Sequence, residues 1–308
     1  MRAEKNSIKS NKIKCPNCIT SQIFFKYESN KFQIYFCKKC LNGFTYPIPK
    51  NLDRYYSDSY WIPKGLIGIL KDTFYHIFQI RRKYWILNFL KNGEILDVGS
   101  GEGIFSKLLG KNFKVTSLDI PSAKIVNPEV IKADFLKWNP GKKFDAIVFW
   151  ESLEHTAYPQ KYIKKAASIL KPEGYIFIEF PRYDCWEASL FKNLWFHLDP
   201  PRHLSHLTPN GLNNLLPRTK LTTIYRCGVF ALEYTIGGFV ASILNLFSKQ
   251  PVDFFQSSKN LLLILPLIPL IFISTLIEIL FFLLGQSPIF LTVVKKGRTN
   301  IDSDLLKS

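Results

Sequence analysis

The sequence is poor in cysteine, in acidic residues and, over residues 261–284, in charge of either sign. Six cysteines in 308 residues are too few for a disulfide scaffold. The 24 acidic residues stand against 41 basic ones, and the resulting formal charge of +17 suits an anionic partner: nucleic acid, a membrane surface or a phosphorylated substrate. The basic N-terminus is followed by no apolar stretch, so no cleaved signal peptide is expected, and no internal repeat is evident.

Apolar residues make up 47% of the chain, which allows a packed core and excludes wholesale disorder. The length suits one enzyme domain with an accessory module, or two modest domains.

Four of the cysteines form two pairs, each with two residues between its members. Each pair can place two thiolates on one metal ion, and two pairs complete a tetrahedral site for structural zinc. The stretch between the pairs predicts two strands around residues 28–30, the pattern of a zinc ribbon. The alternative is unrelated core cysteines or a redox pair. The predicted zinc ligands are Cys15, Cys18, Cys37 and Cys40.

From residue 93 onward, short apolar strands alternate with helical stretches, which predicts a parallel α/β sheet. The first strand enters a turn with three glycines, where the backbone can approach a ligand closely. Asp119 ends the second strand about 20 residues later, where a carboxylate can bind both ribose hydroxyls. A dinucleotide dehydrogenase is the main rival, but its turn is normally G-x-G-x-x-G, whereas Gly103 is followed here by Ile-Phe-Ser.

On these residues the chain resembles the class I S-adenosylmethionine-dependent methyltransferases, over roughly residues 80–235 and a last strand near 290–296. The resemblance implies a Rossmann-like seven-stranded sheet in which strands at 221–226 and 288–295 pair antiparallel. It implies S-adenosylmethionine as cofactor, with Asp119 at the ribose, Asp134 at the adenine amine and Phe135 beside the ring. The implied cofactor-binding residues are Asp97, Gly99, Gly101, Gly103, Asp119, Asp134 and Phe135.

The fourth strand runs into a segment that resembles the E-x-x-E-H motif of the ubiquinone-biosynthesis O-methyltransferases. On a helical turn, Glu151, Glu154 and His155 would share one face by i, i+3, i+4 spacing. His155 could serve as a general base. In some relatives the three residues bind a divalent metal, and two carboxylates with an imidazole suit magnesium, manganese or zinc. A purely structural role is the third alternative.

A Pro-rich, His-rich segment over residues 195–206 follows the fifth strand, where this fold commonly covers the acceptor pocket. His197, Arg202 and His203 are the acceptor-site candidates, and Arg202 could clamp a phosphate or carboxylate. A loop fixed by its prolines is the structural alternative. Thr208 and Pro209 predict the N-cap and first residue of a helix.

An apolar insertion over residues 228–285 separates the last two strands. Its second run, 261–284, carries one charge, Glu278, and as a helix of about 36 Å could cross a hydrocarbon core of about 30 Å unless its prolines split it. Because the insertion begins and ends in one sheet, we predict a membrane-associated helical hairpin with both flanks cytoplasmic by charge bias. A buried apolar lid is the alternative.

Together these features predict an S-adenosylmethionine-dependent O-methyltransferase on the cytoplasmic face of a membrane, acting on a small or lipid-linked acceptor such as a quinone precursor or glycan intermediate. An RNA methyltransferase, a sugar C-methyltransferase and a non-enzymatic interaction module are the alternatives; the apolar insertion argues against nucleic acid as partner. The predicted regions are a zinc ribbon at 1–50, a helical cap at 51–90, the methyltransferase domain at 91–227 and 286–297, the apolar insertion at 228–285 and a tail at 298–308.

Overall fold

The structure is a computed structural model that describes residues 13–56, 79–217, 219–248 and 267–298. Five parts of the predicted regions lie outside the described residues: 1–12 of the zinc ribbon, 57–78 of the helical cap, 218 of the methyltransferase domain, 249–266 of the insertion and 299–308 of the tail.

The strands, in chain order, are β1 (Ile23–Ser29), β2 (Phe32–Cys37), β3 (Gly43–Tyr46), β4 (Gly93–Val98), β5 (Phe113–Asp119), β6 (Ile131–Lys132), β7 (Phe144–Trp150), β8 (Leu170–Pro181), β9 (Ser205–His206), β10 (Leu221–Val229) and β11 (Ile289–Lys296). The helices are α1 (79–87), α2 (Ile104–Leu109), α3 (Pro159–Ile169), α4 (Trp186–Phe191), α5 (Pro209–Asn213), α6 (Leu232–Ser248) and α7 (Ile268–Leu283).

A seven-stranded mixed sheet with the order β10-β11-β8-β7-β4-β5-β6 forms the centre of the molecule. The pairs among β4, β5, β6, β7 and β8 are parallel, whereas β11 pairs antiparallel with both β8 and β10. The predicted strands are confirmed, except that the third, expected over residues 130–135, ends at Lys132. The antiparallel pairing of the last two strands is confirmed as well. Both ends of the insertion therefore return to one sheet.

Helices cover both faces of this sheet, as near-continuous apolar strands require. Alternation along β4 shows the division: Leu96 packs with Ile163 of α3 on one face, and Ile95 packs with Ile86 of α1 and Phe105 of α2 on the other. The carboxyl ends of β4, β5 and β7 lie together at one edge, which is where ligands bind in open α/β sheets.

The N-terminal region forms a second, antiparallel sheet with the order β1-β2-β3-β9. The two strands predicted around residues 28–30 are confirmed as β1 and β2. Its fourth strand comes from residues 205–206, in the segment predicted to cover the acceptor pocket. The N-terminal region and the larger domain thus share a sheet.

The apolar insertion contributes α6 and α7, both of which pack on the segment 185–198. Phe239 of α6 lies against Trp186 and Phe191 with ring centroids 5.2 and 5.5 Å apart, and Phe281 of α7 stacks on Trp186 at 3.9 Å. Since Phe281 and Trp186 lie nearly parallel, at an interplanar angle of 12°, α7 is closely seated on the domain.

The long apolar hairpin of the sequence analysis is not seen. Within the described ranges, no helix is long and apolar enough to cross a membrane. Of the second apolar run, the structure describes α7, which begins at Ile268 with a proline in its first turn, where a proline fits a helix start. A transmembrane helix is therefore unsupported for the part of the insertion that the structure describes.

Candidate active site

The glycine turn between β4 and α2 leaves open space beside its backbone. Gly99, Gly101 and Gly103 have φ values of 79°, 53° and 70°, in the left-handed region that favours glycine. A side chain at Gly101 would meet no atom within 4 Å, so a ligand can lie against this peptide. A side chain at Gly99 would instead strike Ser152, so the turn packs directly on the segment that follows β7.

Two carboxylates flank the turn. Asp119, at the end of β5, accepts hydrogen bonds from the backbone N–H of Gly101 (2.8 Å) and of Ile120 (2.7 Å). Each of its oxygens keeps a second lone pair, so both can still accept a ribose hydroxyl. Asp97, at the end of β4, is buried, and this burial raises its pKa to about 7 although Arg82 opposes the shift. Asp119 fits the ribose of S-adenosylmethionine, and the open turn fits its methionine part, as the family resemblance implies.

The structure corrects the third predicted strand. It ends at Lys132 rather than Phe135, because the chain turns at Asp134, whose carboxylate accepts the backbone N–H of Leu136 at 3.0 Å. Phe135 is 3% exposed and lies in the core, with its ring centroid 5.9 Å from Phe149 and 5.4 Å from Tyr162. This ring stabilises the turn at Asp134 and is not free to lie beside an adenine.

The segment after β7 is not the regular helical turn that the spacing suggested. Glu151 has a φ of 52°, and Leu153–His155 form a 3-10 turn. Because the left-handed residue redirects the chain, Glu151, Glu154 and His155 do not share one helical face. Glu151 instead donates its backbone N–H to the carbonyl of Glu179 on β8, at 3.0 Å.

A different trio comes together: ligand atoms of Glu154, His155 and His203 lie within 4.8 Å of one another. Glu154 is 2% exposed, and its carboxylate oxygens have no hydrogen-bond donor, while the carboxyl of Glu151 lies beside them. Burial raises the pKa of Glu154 to about 8. A buried carboxyl without a hydrogen-bond donor is costly unless a proton or a cation occupies it, so the trio fits a bound cation.

The two histidine rings share one tautomer. Nδ1 of His155 lies 3.1 Å from the carbonyl oxygen of Arg202, and Nδ1 of His203 lies 2.8 Å from that of His197. A carbonyl oxygen can only accept, so Nδ1 carries the hydrogen and Nε2 carries the lone pair in both rings. Burial lowers the pKa of both histidines, that of His155 to about 4, which keeps them neutral. Either ring can accept a proton or bind a metal.

The other two acceptor-site candidates hold the protein together. His197 is buried and donates from Nε2 to the carbonyl of Tyr234 on α6 at 2.8 Å, so it fastens the insertion to the domain. Arg202 forms a bidentate ion pair with Asp199, at 2.8 and 2.9 Å. The guanidinium group that we expected to bind an acceptor is thus paired with Asp199 of the same chain.

Sequence reasoning missed a buried ion-pair cluster behind the site. Glu179, fully buried on β8, accepts hydrogen bonds from Arg81 (2.8 Å) and from Arg82 (2.6 and 3.0 Å) of α1. These two cations hold the pKa of Glu179 below its usual range despite its burial. The signal available was an acid in the middle of an apolar strand, which is rarely buried without a partner.

The four N-terminal cysteines meet in one cluster, with their sulfur atoms within 4.8 Å of one another. Sγ of Cys15 lies 3.6 Å from that of Cys40, and Sγ of Cys18 lies 3.4 Å from that of Cys37. A zinc tetrahedron with Zn–S bonds of about 2.3 Å has S···S edges of about 3.8 Å. The cluster therefore fits a structural zinc ion.

Comparison with known proteins identifies the family. The family described as "Methyltransferase domain" matches residues 70–225, just over half of the chain. The chain belongs to the class I S-adenosylmethionine-dependent methyltransferases. The match includes the glycine turn, Asp119 and the trio at Glu154, so the site described above lies in the methyltransferase domain.

Curated relatives include the ubiquinone biosynthesis O-methyltransferases of Bartonella tribocorum, 28% identical over 161 residues, and of Coxiella burnetii, 30% identical over 153 residues. These matches cover 45% and 42% of this methyltransferase and 64% and 63% of the relatives. The chain thus spans just under two thirds of the length of the relatives it matches.

Solved structures with a similar fold include a SAM-dependent methyltransferase from Archaeoglobus fulgidus, 21% identical with a TM-score of 0.45, covering 75% of this chain and 100% of that one. Another is the complex of the Haloferax volcanii Trm112 methyltransferase activator with a methyltransferase. Its matched chain is 14% identical with a TM-score of 0.49, covering 77% of this chain and 96% of that one.

Proposed function

We propose that this methyltransferase transfers a methyl group from S-adenosylmethionine to an oxygen of a small or lipid-linked acceptor. The observation that carries the proposal is the trio Glu154, His155 and His203. Its first two members follow β7 directly, next to Ser152, which packs on the glycine turn. Two lone pairs and a carboxyl without a hydrogen-bond donor at this place suit the removal of a proton from an acceptor hydroxyl.

The proposed chemistry divides between two groups of residues. The cofactor, when bound, supplies an electrophilic methyl group on a sulfonium. Asp119 holds the ribose, and the open peptide at Gly101 orients the methionine part. His155 accepts the hydroxyl proton on Nε2, while the acceptor oxygen bonds to the methyl carbon and the carbon–sulfur bond breaks.

A divalent metal at the same trio is the second form of this proposal. Glu154, His155 and His203 would hold the ion, because their ligand atoms lie within 4.8 Å of one another, whereas the sequence suggested a set with Glu151. One carboxylate and two imidazoles suit manganese, zinc or iron(II). Such an ion would lower the pKa of an acceptor hydroxyl and neutralise the buried carboxylate.

The support for a lipid-linked acceptor comes from α7, in which the buried residues are polar and the exposed residues are apolar. Its two buried residues, Ser274 and Glu278, are polar and face the protein. Its exposed residues are all apolar, as in a helix that lies against lipid rather than water. The exposed residues of α7 are Ile268, Pro269, Phe272, Ile273, Leu276, Ile279, Leu280, Phe282 and Leu283.

We infer that α7 lies in the plane of a membrane, on its cytoplasmic face, and brings the acceptor site to the lipid surface. Phe281 of α7 stacks on Trp186, so the helix rests on the segment that continues to His197 and His203. The names of the curated relatives, ubiquinone biosynthesis O-methyltransferases, favour a quinone precursor.

The test uses a polyprenylated phenol with a free ring hydroxyl, presented in phospholipid vesicles with methyl-labelled S-adenosylmethionine. We expect label in the lipid phase, and no label when the ring hydroxyl is already methylated. Leu276→Glu and Leu280→Glu on α7 should lower transfer and vesicle binding together, whereas Glu129→Lys, on an exposed loop of the cofactor side, should lower neither. Transfer to carbon, or no transfer to this probe by protein that binds S-adenosylmethionine, would contradict the proposal.

A further inference from the structure

We propose that the N-terminal sheet holds the acceptor half of the site in place, with Thr45 as the positioning residue. The inference rests on the proposed function, because it concerns the same trio. It differs from the usual expectation for a zinc ribbon, which is a separate module that recruits a partner.

The first observation is a backbone relay between the two regions. The backbone N–H of Thr45 on β3 donates to the carbonyl of Leu204 at 3.0 Å, and the N–H of Leu204 donates to the carbonyl of Glu154 at 2.9 Å. Leu204 is thus hydrogen-bonded to the ribbon through Thr45 and to the trio through Glu154. His203, whose ring completes the trio, is the residue immediately before Leu204.

The second observation is the Thr45 side chain, which is fully buried between two residues of the acceptor segment. Its Oγ1 donates to the carbonyl of His203 at 2.8 Å and lies 2.9 Å from Nε2 of His206. The hydroxyl has one hydrogen, which goes to the carbonyl, so Nε2 of His206 must donate to Oγ1. Thr45 therefore fixes the backbone of His203 and the tautomer of His206 together.

Further polar contacts tie the ribbon to the same segment. Asn30 donates from Nδ2 to the carbonyl of Pro200 at 3.3 Å, and Asn42 accepts the backbone N–H of Thr208 on Oδ1 at 3.0 Å. Asn42 also donates from Nδ2 to the carbonyl of Cys40 at 3.2 Å, which connects the contact to the cysteine cluster. These contacts restrict the position of the segment relative to the ribbon.

These contacts determine where the His203 ring lies. His203 projects from a loop, and its Nε2 can meet Glu154 and His155 only if the loop backbone is held on both sides. The motif holds one side through Glu154, and β3 holds the other through Thr45. A misplacement of about 1 Å at such a group can lower a rate by about 10²-fold.

The test compares full-length variants with zinc in place. Thr45→Val keeps the shape and removes the hydroxyl, Thr45→Ser keeps the hydroxyl, and Thr222→Val is the matched control at an exposed threonine on β10. Nitrogen-15 labelling of the five histidines reports the tautomer and environment of each ring. Mn²⁺ binding to the trio and calorimetric binding of S-adenosylmethionine are the other two measurements.

For Thr45→Val we expect His206 to change tautomer, the His203 and His155 ring signals to shift, and Mn²⁺ affinity to fall at least fivefold. Affinity for S-adenosylmethionine should stay within twofold of wild type. Thr45→Ser should restore the wild-type spectrum, and Thr222→Val should not alter it. If only His206 responds, or if cofactor affinity falls in parallel, the inference is wrong.

Failure of the proposed function gives a different result. A wild-type protein that binds no Mn²⁺ and methylates no acceptor, but whose His203 signal still shifts on Thr45→Val, would refute the function and keep the positioning role. If Thr45→Val does not fold, Asn30→Gly on the exposed ribbon turn serves instead, since glycine suits the φ of 49° at this residue. A smaller His203 shift would support the inference, and an unchanged signal would overturn it.

Discussion

The cofactor half and the acceptor half of the site are supported in different ways. The cofactor half consists of one strand–turn–helix unit, and its carboxylate at Asp119 is held by backbone N–H groups of neighbouring residues. The acceptor half draws on segments far apart in the chain: β3, the motif that ends at His155 and the loop at His203. A parallel sheet supplies the first half by itself, whereas the second needs an added sheet.

The two halves also differ in their buried charges. The carboxylate oxygens of Asp119 are both hydrogen-bonded, while those of Glu154 have no hydrogen-bond donor. The first group is prepared for a neutral ribose, and the second for a proton or a cation. Changes in one half should therefore leave the other half's ligand unaffected, which makes the comparison testable.

The largest expected effect is that of His155→Ala. Loss of a general base lowers turnover by about 10²–10⁴-fold. Methyl transfer to the polyprenylated phenol should fall by this factor, while calorimetry should give unchanged affinity for S-adenosylmethionine. An equal loss of cofactor affinity would show that the two halves are not separate.

A second comparison, between two glutamates, separates a base from a metal site. If a metal is bound, Glu154→Gln should lower turnover nearly as much as His155→Ala, chelators should abolish activity, and Glu151→Gln should have a smaller effect, because Glu151 is outside the trio. If His155 acts alone, chelators that leave the zinc of the cysteine cluster in place should have no effect. Full turnover in both glutamate variants and in His155→Ala would exclude both roles.

Asp119→Ala should weaken the cofactor half of the site and leave the acceptor half unchanged. Each hydrogen bond lost to this charged group contributes about 1.5–3 kcal/mol, so calorimetry should show at least tenfold weaker binding of S-adenosylmethionine. The metal affinity of the trio should not change. Glu129→Ala, which removes an exposed acid nearby in sequence, is the control and should bind the cofactor normally.

The smallest effect concerns the insertion. Burial raises the pKa of Glu278 on α7 to about 7. Burial, and after it the charge of Glu278, also raises the pKa of the adjacent Glu187. A folded-state pKa above the unfolded value gives stability that is complete below the unfolded pKa near 4.5 and is lost as pH rises through about 7. Glu278→Gln should flatten this dependence.

Thermal unfolding between pH 4.5 and pH 8 measures this pH dependence of stability. A change of about 1 kcal/mol shifts the melting temperature of a domain of this size by about 2–4 °C, and we expect wild type to lose at least this much relative to Glu278→Gln. Identical pH profiles would mean that the carboxyl pair does not contribute to the seating of α7.

The sequence predicts the cofactor half well because its signals are local. The glycines, the acid that ends β5 and the apolar strands can each be recognised from a few neighbouring residues. The order of the strands follows from the topology of the fold. The site residues themselves stay predictions. The acceptor half is harder, because a single residue decides it: the left-handed conformation of Glu151 breaks the i, i+3, i+4 relation that the spacing suggested.

Contacts distant in sequence account for most of the remaining differences. The pairing of β3 with β9 joins residues more than 150 positions apart, and nothing in either segment specifies the partner. The fixation of His197 to α6 and the closure of Arg202 on Asp199 also depend on where elements meet. The apolar run that forms α7 can be recognised in the sequence, but only the structure shows that Glu278 faces the protein.

The most direct test of the central claim, that the ribbon supports the acceptor half and not the cofactor half, is the effect of Cys18→Ser on both ligands. Cys227→Ser is the matched control, because Cys227 lies outside the cysteine cluster. Wild type and the control should carry one zinc per chain, and Cys18→Ser should lose it. The account predicts that Cys18→Ser binds S-adenosylmethionine within twofold of wild type but transfers methyl to the polyprenylated phenol at least tenfold more slowly. Undiminished transfer without zinc, or an equal loss of cofactor binding, would contradict it.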